Sequence, residues 1–138
     1  MIHRKRSRRD AFLILYQWEI TGKDLEELTE SFYKCFRAHS ERKRYTRMII
    51  RLFKQNIQTL EKRLAQQLKG RDLMSLGSIE RAILRVAITE IELKKTQKPS
   101  VAIKDYVRIT SRYSDSSQVK LVNGVLGQLF KNLSFPEP

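Results

Sequence analysis

Cysteine, proline and glycine are scarce in this chain: one, three and five residues among 138. So few turn formers argue against a β fold of short strands and tight turns. The lone Cys35 cannot close an intramolecular disulfide, and a reducing, cytoplasmic location is the simplest expectation. No window holds about 18 uncharged apolar residues, which argues against a transmembrane helix. The start is basic like a signal peptide, but the apolar run behind it carries Gln17 and Glu19 and has no small-residue cleavage site. Catalytic motifs are missing too. There is no GxGxxG, P-loop or CxxC, so neither a nucleotide cofactor nor a metal is expected. His3 falls in a terminal segment and His39 in a loop, each without an acid or nucleophile at motif spacing, and both read as ordinary solvated residues. Cys35, on the apolar side of a predicted helix, reads as core filler. The chain is not expected to be an enzyme.

What the chain has in excess is positive charge. Lys and Arg number 28 against 15 acids, a formal net charge of +13. Such an excess repels itself and seeks a polyanion. The hydrophobic share of 41% is still enough for a core, and the length suits a single domain, residues 1–138, burying roughly two-thirds of its unfolded surface. The charge falls in two sets. The first is the start, MIHRKRSRRD, with Arg4, Lys5, Arg6, Arg8 and Arg9 and no acid among its first nine residues. Arginine dominates it, which suits bidentate phosphate contact, and it runs into a helix start. Residues 1–7 read as a flexible basic arm, with a solubilising tail as the rival reading. The second set runs from Arg37 to Lys54, with Glu41 the only acid among its cations. It reads as the solvated face of a long helix. The acidic stretch Glu19 to Glu30 reads likewise as a solvated helix face.

Helical spacing recurs along the whole chain. Arg8 to Ile20 is apolar over most of its circumference, so that helix must be surrounded by others. Asp24 caps a second helix with Leu25, Leu28, Phe32 and Phe36 on one side. The clearest stripe is Ile49, Phe53, Ile57, Leu60, Leu64 and Leu68. It predicts one helix from about 42 to 69, capped by Ser40 and Gly70 and about 40 Å long at 1.5 Å per residue. Ser78 caps a central helix from Ile79 to Leu93. A further helix follows from Ser100 to about Tyr113. A last one runs from about Gln118 to Asn132, with a stripe of Val119, Val122, Leu126, Leu129, Phe130 and Leu133, before the FPEP end. The sum is an all-α bundle, its N-terminal half about 8–70 and its C-terminal half about 78–133.

Three ordered motifs carry a resemblance. RxxAFxxLYxWE (Arg8 to Glu19) comes first. SLGSIERAILRVAITEIEL follows, with Gly77, Glu80, Arg81, Ala82, Leu84, Arg85, Ala87 and Glu90. Then KPSVAIKDY leads to VKLVNGVL, with Pro99, Val101, Ala102, Ile103, Lys120, Val122, Asn123, Gly124, Val125 and Leu126. In this order they resemble the NusB transcription antitermination family. The resemblance implies a bundle of two small helical subdomains. It also implies binding of boxA-like single-stranded RNA in nascent rRNA-operon transcripts, together with the small-subunit ribosomal protein NusE, to load an antitermination complex on RNA polymerase. The RNA-contacting residues it implies are Arg4, Lys5, Arg6, Arg8 and Arg9 in the arm, Glu80 and Arg81 at the central helix, and Ser117, Lys120 and Leu121 at the last one. If all five arm cations meet phosphate, log K should fall with log salt at a slope of about −3 to −4.

The chain departs from that pattern at named places. Lys104, Asp105 and Tyr106 stand where the family has Asn-Glu-Ala, and Thr110 and Ser111 where it has Ala-Lys. Ser117 replaces an acid and Leu121 an aromatic that could stack on a base. Losing an acid and gaining Lys104 and Arg108 favours phosphate contact over base discrimination. Two other readings stand beside this one. One is the RNA-binding N-terminal domain of an rRNA cytosine methyltransferase, disfavoured because no Gly-rich S-adenosylmethionine loop or catalytic cysteine precedes Pro138. The other is a ribosome-assembly scaffold that would not distinguish boxA from scrambled RNA. Periodicity leaves open whether the chain also forms a homodimer.

Overall fold

The computed structural model describes residues 2–96 and 98–132, without the side chains of residues 130 and 132. Leu133, the FPEP end and the Phe130 side chain of the expected stripe lie outside the described residues. Seven α-helices follow in order: α1 (Ile2–Thr21), α2 (Leu25–Lys34), α3 (Ser40–Gln55), α4 (Ile57–Gln67), α5 (Ser78–Ile88), α6 (Pro99–Tyr113) and α7 (Ser116–Asn132). A 3-10 turn, Leu73–Ser75, precedes α5, and a π-helical stretch, Thr89–Lys94, continues it. There is no strand among the described residues. The all-α bundle is the one expected.

Helix α1 runs through the middle, packed against α2, α3, α5 and α6. Its apolar circumference is thereby used on several sides: Ala11, Phe12, Ile14 and Leu15 are all buried. The second central element, α5, is buried from Ala82 to Ile88. It contacts α1, α4, α6 and α7.

Local chemistry explains the boundaries, including those that differ from expectation. Asp24 caps α2 as expected, accepting from the backbone N–H groups of Glu26 and Glu27. The cap of α3 is His39, whose Nδ1 accepts the Glu41 N–H at 3.1 Å, and Ser40 becomes the first helical residue. The predicted single helix over 42–69 is two helices, α3 and α4, broken at Asn56. Asn56 leaves helical geometry (φ −136°), and its side-chain amide donates to the Leu52 carbonyl at 2.9 Å, a bond that competes with the helical ladder. The apolar stripe survives the bend, with Phe53, Leu60 and Leu64 buried. Gly70, expected at the helix end, follows Lys69; both have positive φ, the left-handed conformation common where helices end. Gly77 occupies the cap position of α5 in place of Ser78. Cys35 is exposed, not core filler, because α2 ends at Lys34 and its terminal turn lies on the surface. Residues 2–7 are not a flexible arm; they are the first turns of α1.

Candidate nucleic-acid interface

Because residues 2–9 are helical, their periodicity sorts the N-terminal cations. Arg4, Lys5 and Arg6 are exposed, Arg9 is half-buried, and Arg8 is turned inward. Arg8 shares the buried stripe of Ala11, Phe12 and Leu15, at spacings of three, four and seven. Its guanidinium grips Glu90 on the π-helical stretch, Nε to Oε1 at 2.8 Å and Nη2 to Oε2 at 2.6 Å, and Asp105 of α6 at 2.7 Å. Tyr45 and Tyr106 also donate to Glu90, at 2.6 and 2.7 Å. Burial opposes the charge on Arg8, but Glu90 and Asp105 outweigh it and hold the pKa above its ordinary value. Burial beside Glu90 raises the Tyr106 and Tyr45 hydroxyls in turn. Arg8 therefore leaves the expected RNA-binding set: its side chain is 4% exposed and its donors face acids inside the protein.

The exposed cations line two grooves, one on each flank of α1. On one flank Arg4 lies near Arg44 of α3 and Lys94 and Lys98 ahead of α6. Arg4 also sits 4.4 Å over the Tyr45 ring, a cation–π contact that steadies it. On the other flank Lys5, Arg6 and Arg9 face Arg108 and Arg112 of α6. The buried Nε of Arg9 has no hydrogen-bond partner among the described residues.

The start of α7 presents the second predicted cluster. Lys120 is exposed and Leu121 is half-buried, packed on the core. The exposed Ser117 donates to Asp115 at 2.7 Å, and Asp115 also accepts the Gln118 N–H at 3.1 Å. These bonds hold the Asp115 carboxyl below its usual range, the Ser117 hydroxyl contributing most. The helix thus starts at Ser116, two residues earlier than predicted, and an acid does stand beside Ser117 after all. That capping role could have been read from the Asp-Ser-Ser sequence.

The third cluster lies elsewhere. Glu80 is buried, and Arg81 binds Glu19 near the far end of α1 through Nε at 2.7 Å and Nη2 at 2.6 Å. Arg81 also donates to the Leu76 carbonyl. Glu19 is 14 residues beyond Lys5 in α1, about 20 Å along the axis. The structure therefore does not bring Glu80 and Arg81 beside the exposed N-terminal cations, and the Arg81 donors are committed internally. Arg85 binds Glu19 at 2.7 Å as well, so Arg81 first and Arg85 with it hold the Glu19 carboxyl below its usual range.

Two further expectations change. Of the acids from Glu19 to Glu30, Glu19 alone leaves the expected solvated face; Asp24, Glu26, Glu27 and Glu30 are exposed, with Glu30 paired to Arg47 and Asp24 to Lys54 at the surface. In the second basic set Arg42 is buried and bound to Asp10, Nε to Oδ2 at 2.6 Å, while Tyr33 donates to the same oxygen at 2.8 Å. His3 and His39 stack with ring centroids 4.2 Å apart, tying the first turn of α1 to the cap of α3.

Rigid, helix-mounted guanidinium and ammonium groups on two sides of one helix end suit a phosphate backbone. The profile of the NusB family matches residues 5–131. The chain is 31% identical over 133 residues to the transcription antitermination protein NusB of Persephonella marina, covering 94% of each chain. To that of Aquifex aeolicus it is 29% identical over 132 residues, covering 95% of this chain and 89% of the relative. Among solved structures it is similar to a chain in the crystal structure of the antitermination factors NusB and NusE in complex with dsRNA. There the TM-score is 0.88 at 27% identity, covering 96% of this chain and 98% of the other. It is similar also to Thermotoga maritima NusB, at a TM-score of 0.85 and 28% identity over 93% and 90% of the two chains. By fold, by motif order and by these likenesses, the chain belongs to the NusB family.

Proposed function

We propose that this chain is a transcription antitermination factor that binds boxA-like single-stranded RNA together with a NusE-type ribosomal protein. In this role it loads the antitermination complex on RNA polymerase at rRNA operons. The observation that carries the reading is the exposure of Arg4, Lys5 and Arg6 on the first turns of α1, in a fold similar to NusB in a complex with NusE and RNA. Relatives matched over about nine-tenths of their length are named transcription antitermination proteins. That favours this role over the RNA-binding domain of a methyltransferase. With Arg8 inside, the α1 contacts are Arg4, Lys5, Arg6 and Arg9, and Lys120 at α7 adds a cation of the same kind.

Two measurements test the reading. A tagged copy should retain the small-subunit ribosomal protein from cell extract treated with ribonuclease. The protein should also bind a boxA-like RNA more tightly than a scrambled one of equal length. Four α1 cations on a single strand contribute about −2.8 to the slope of log K against log salt. Equal affinity for both RNAs would instead make the protein a non-specific scaffold.

A further inference from the structure

We infer that the face of α6 bearing Lys104, Arg108 and Arg112 is a second phosphate-binding track, running beside α1 and joining its exposed cations to the start of α7. The inference rests on the RNA-binding reading above and names a surface that the three expected clusters do not include.

The three residues recur every fourth position, so they lie on one helix face about 6 Å apart along the axis at 1.5 Å per residue. All three are exposed. Arg108 and Arg112 line a groove opposite Lys5, Arg6 and Arg9, so two rows of cations face one another, and Lys104 lies one turn before Arg108 on the same helix face. The only acid from Lys94 to Ser114 is Asp105, and its carboxylate is committed to Arg8 at 2.7 Å. Arg108 reaches Asp105 only at 3.8 Å and keeps 65% of its side chain exposed. The groove floor therefore cancels little of the positive charge on its walls. Like charges at this spacing destabilise a helix, so the stripe opposes folding unless an anion sits against it.

The groove also has direction. It ends at Tyr113, whose ring tilts against Phe12 at 5.1 Å. Only Ser114 and Asp115 separate Tyr113 from α7, where Ser117 and Lys120 lie. A strand entering at Lys5 and Arg6 can follow the groove past Arg9, Arg108 and Arg112 and arrive at α7. The clusters at the two ends thereby become parts of one path. Because the track offers cations on a regular rise, it serves backbone phosphate whatever the sequence.

The test is fluorescence anisotropy with the full chain and short labelled single-stranded RNAs, one boxA-like and one scrambled, across a salt series. The variants are Arg108→Gln/Arg112→Gln on α6, Lys5→Gln/Arg6→Gln on α1, and Arg51→Gln, an exposed cation of α3, as the control. The α6 pair should flatten the salt slope by about 1.4 on both RNAs, two phosphate contacts at 0.7 each, with no loss of thermal stability. The control should leave the slope unchanged. If the α1 pair flattens the slope and the α6 pair does not, the α6 track is overturned and the RNA-binding reading stands. If neither pair changes it, or the native chain binds neither RNA, the RNA-binding reading itself fails.

Discussion

Arg8 and Glu90, separated by 82 positions in the chain, meet in a bidentate pair in which both side chains are buried, at 4% and 0% exposure. Asp105, Tyr45 and Tyr106 complete the cluster around them. Desolvating two charges is unfavourable, and here two tyrosine hydroxyls and a second carboxylate compensate. The cluster's value is therefore conditional: it holds only while every member is in place.

Breaking one partner of this pair should be expensive and local to stability. Arg8→Gln strands Glu90 without its cation and should destabilise the fold by about 3–5 kcal/mol, measured by urea denaturation. Its salt slope for RNA, taken where the variant is still folded, should equal that of the native chain. A slope lower by about 0.7 would instead place Arg8 on phosphate.

The tyrosines give an alkaline signature. Tyr33, Tyr45 and Tyr106 all have hydroxyl pKa values raised, chiefly by burial and then by the neighbouring Asp10 or Glu90. A raised folded pKa means stabilisation that is complete below the ordinary value of 10.0 and withdrawn as pH climbs above it. Of the five tyrosines, these three should resist ionisation past that pH in the native state, read by ultraviolet absorbance. They should ionise together on unfolding. Ionisation of all five around pH 10 with the fold intact would contradict the buried cluster.

Glu19 sets the acid side. Arg81 first, and Arg85 after it, depress its pKa below the ordinary 4.5. A depressed folded value means stabilisation present above that pH and lost as pH falls through the folded value. Thermal melts from neutral to acid pH should show Glu19→Gln less stable than the native chain near neutrality. The gap should narrow as pH falls below about 4.5. A gap that stays constant with pH would remove the ionised Glu19 from the account.

Much of the helical order was legible because burial and periodicity report the same thing. The wrap-around apolar run of α1 predicted a surrounded helix, and Asp24 predicted the cap of α2. Charge was less legible. A run such as RKRSRR reports how many cations are present, but only the helix phase tells which point outward. Had the first turns been read as helix, the spacing of Arg8 to Ala11, Phe12 and Leu15 would have marked it as internal. The break at Asn56 was hidden because the apolar stripe runs through it at unbroken spacing. Partners such as Arg42 for Asp10, 32 residues away, have no local signature at all. The same holds for the groove between α1 and α6, which exists only once the two helices are side by side.

The three buried polar clusters each have one member on α1: Arg8, Asp10 and Glu19. Their partners are spread along the chain, from Arg42 to Arg81 and Arg85, then Glu90 and finally Asp105. A ribosome makes α1 first, yet its buried charges find partners only as later helices emerge. Asp10 can be neutralised once α3 is out, Glu19 must wait for α5, and Arg8 waits longest, for a carboxylate 97 residues downstream. Contacts of such long range slow folding. The helix made before the other six thus keeps a buried charge cluster incomplete until α6 has followed it, and only then can it lock against the bundle.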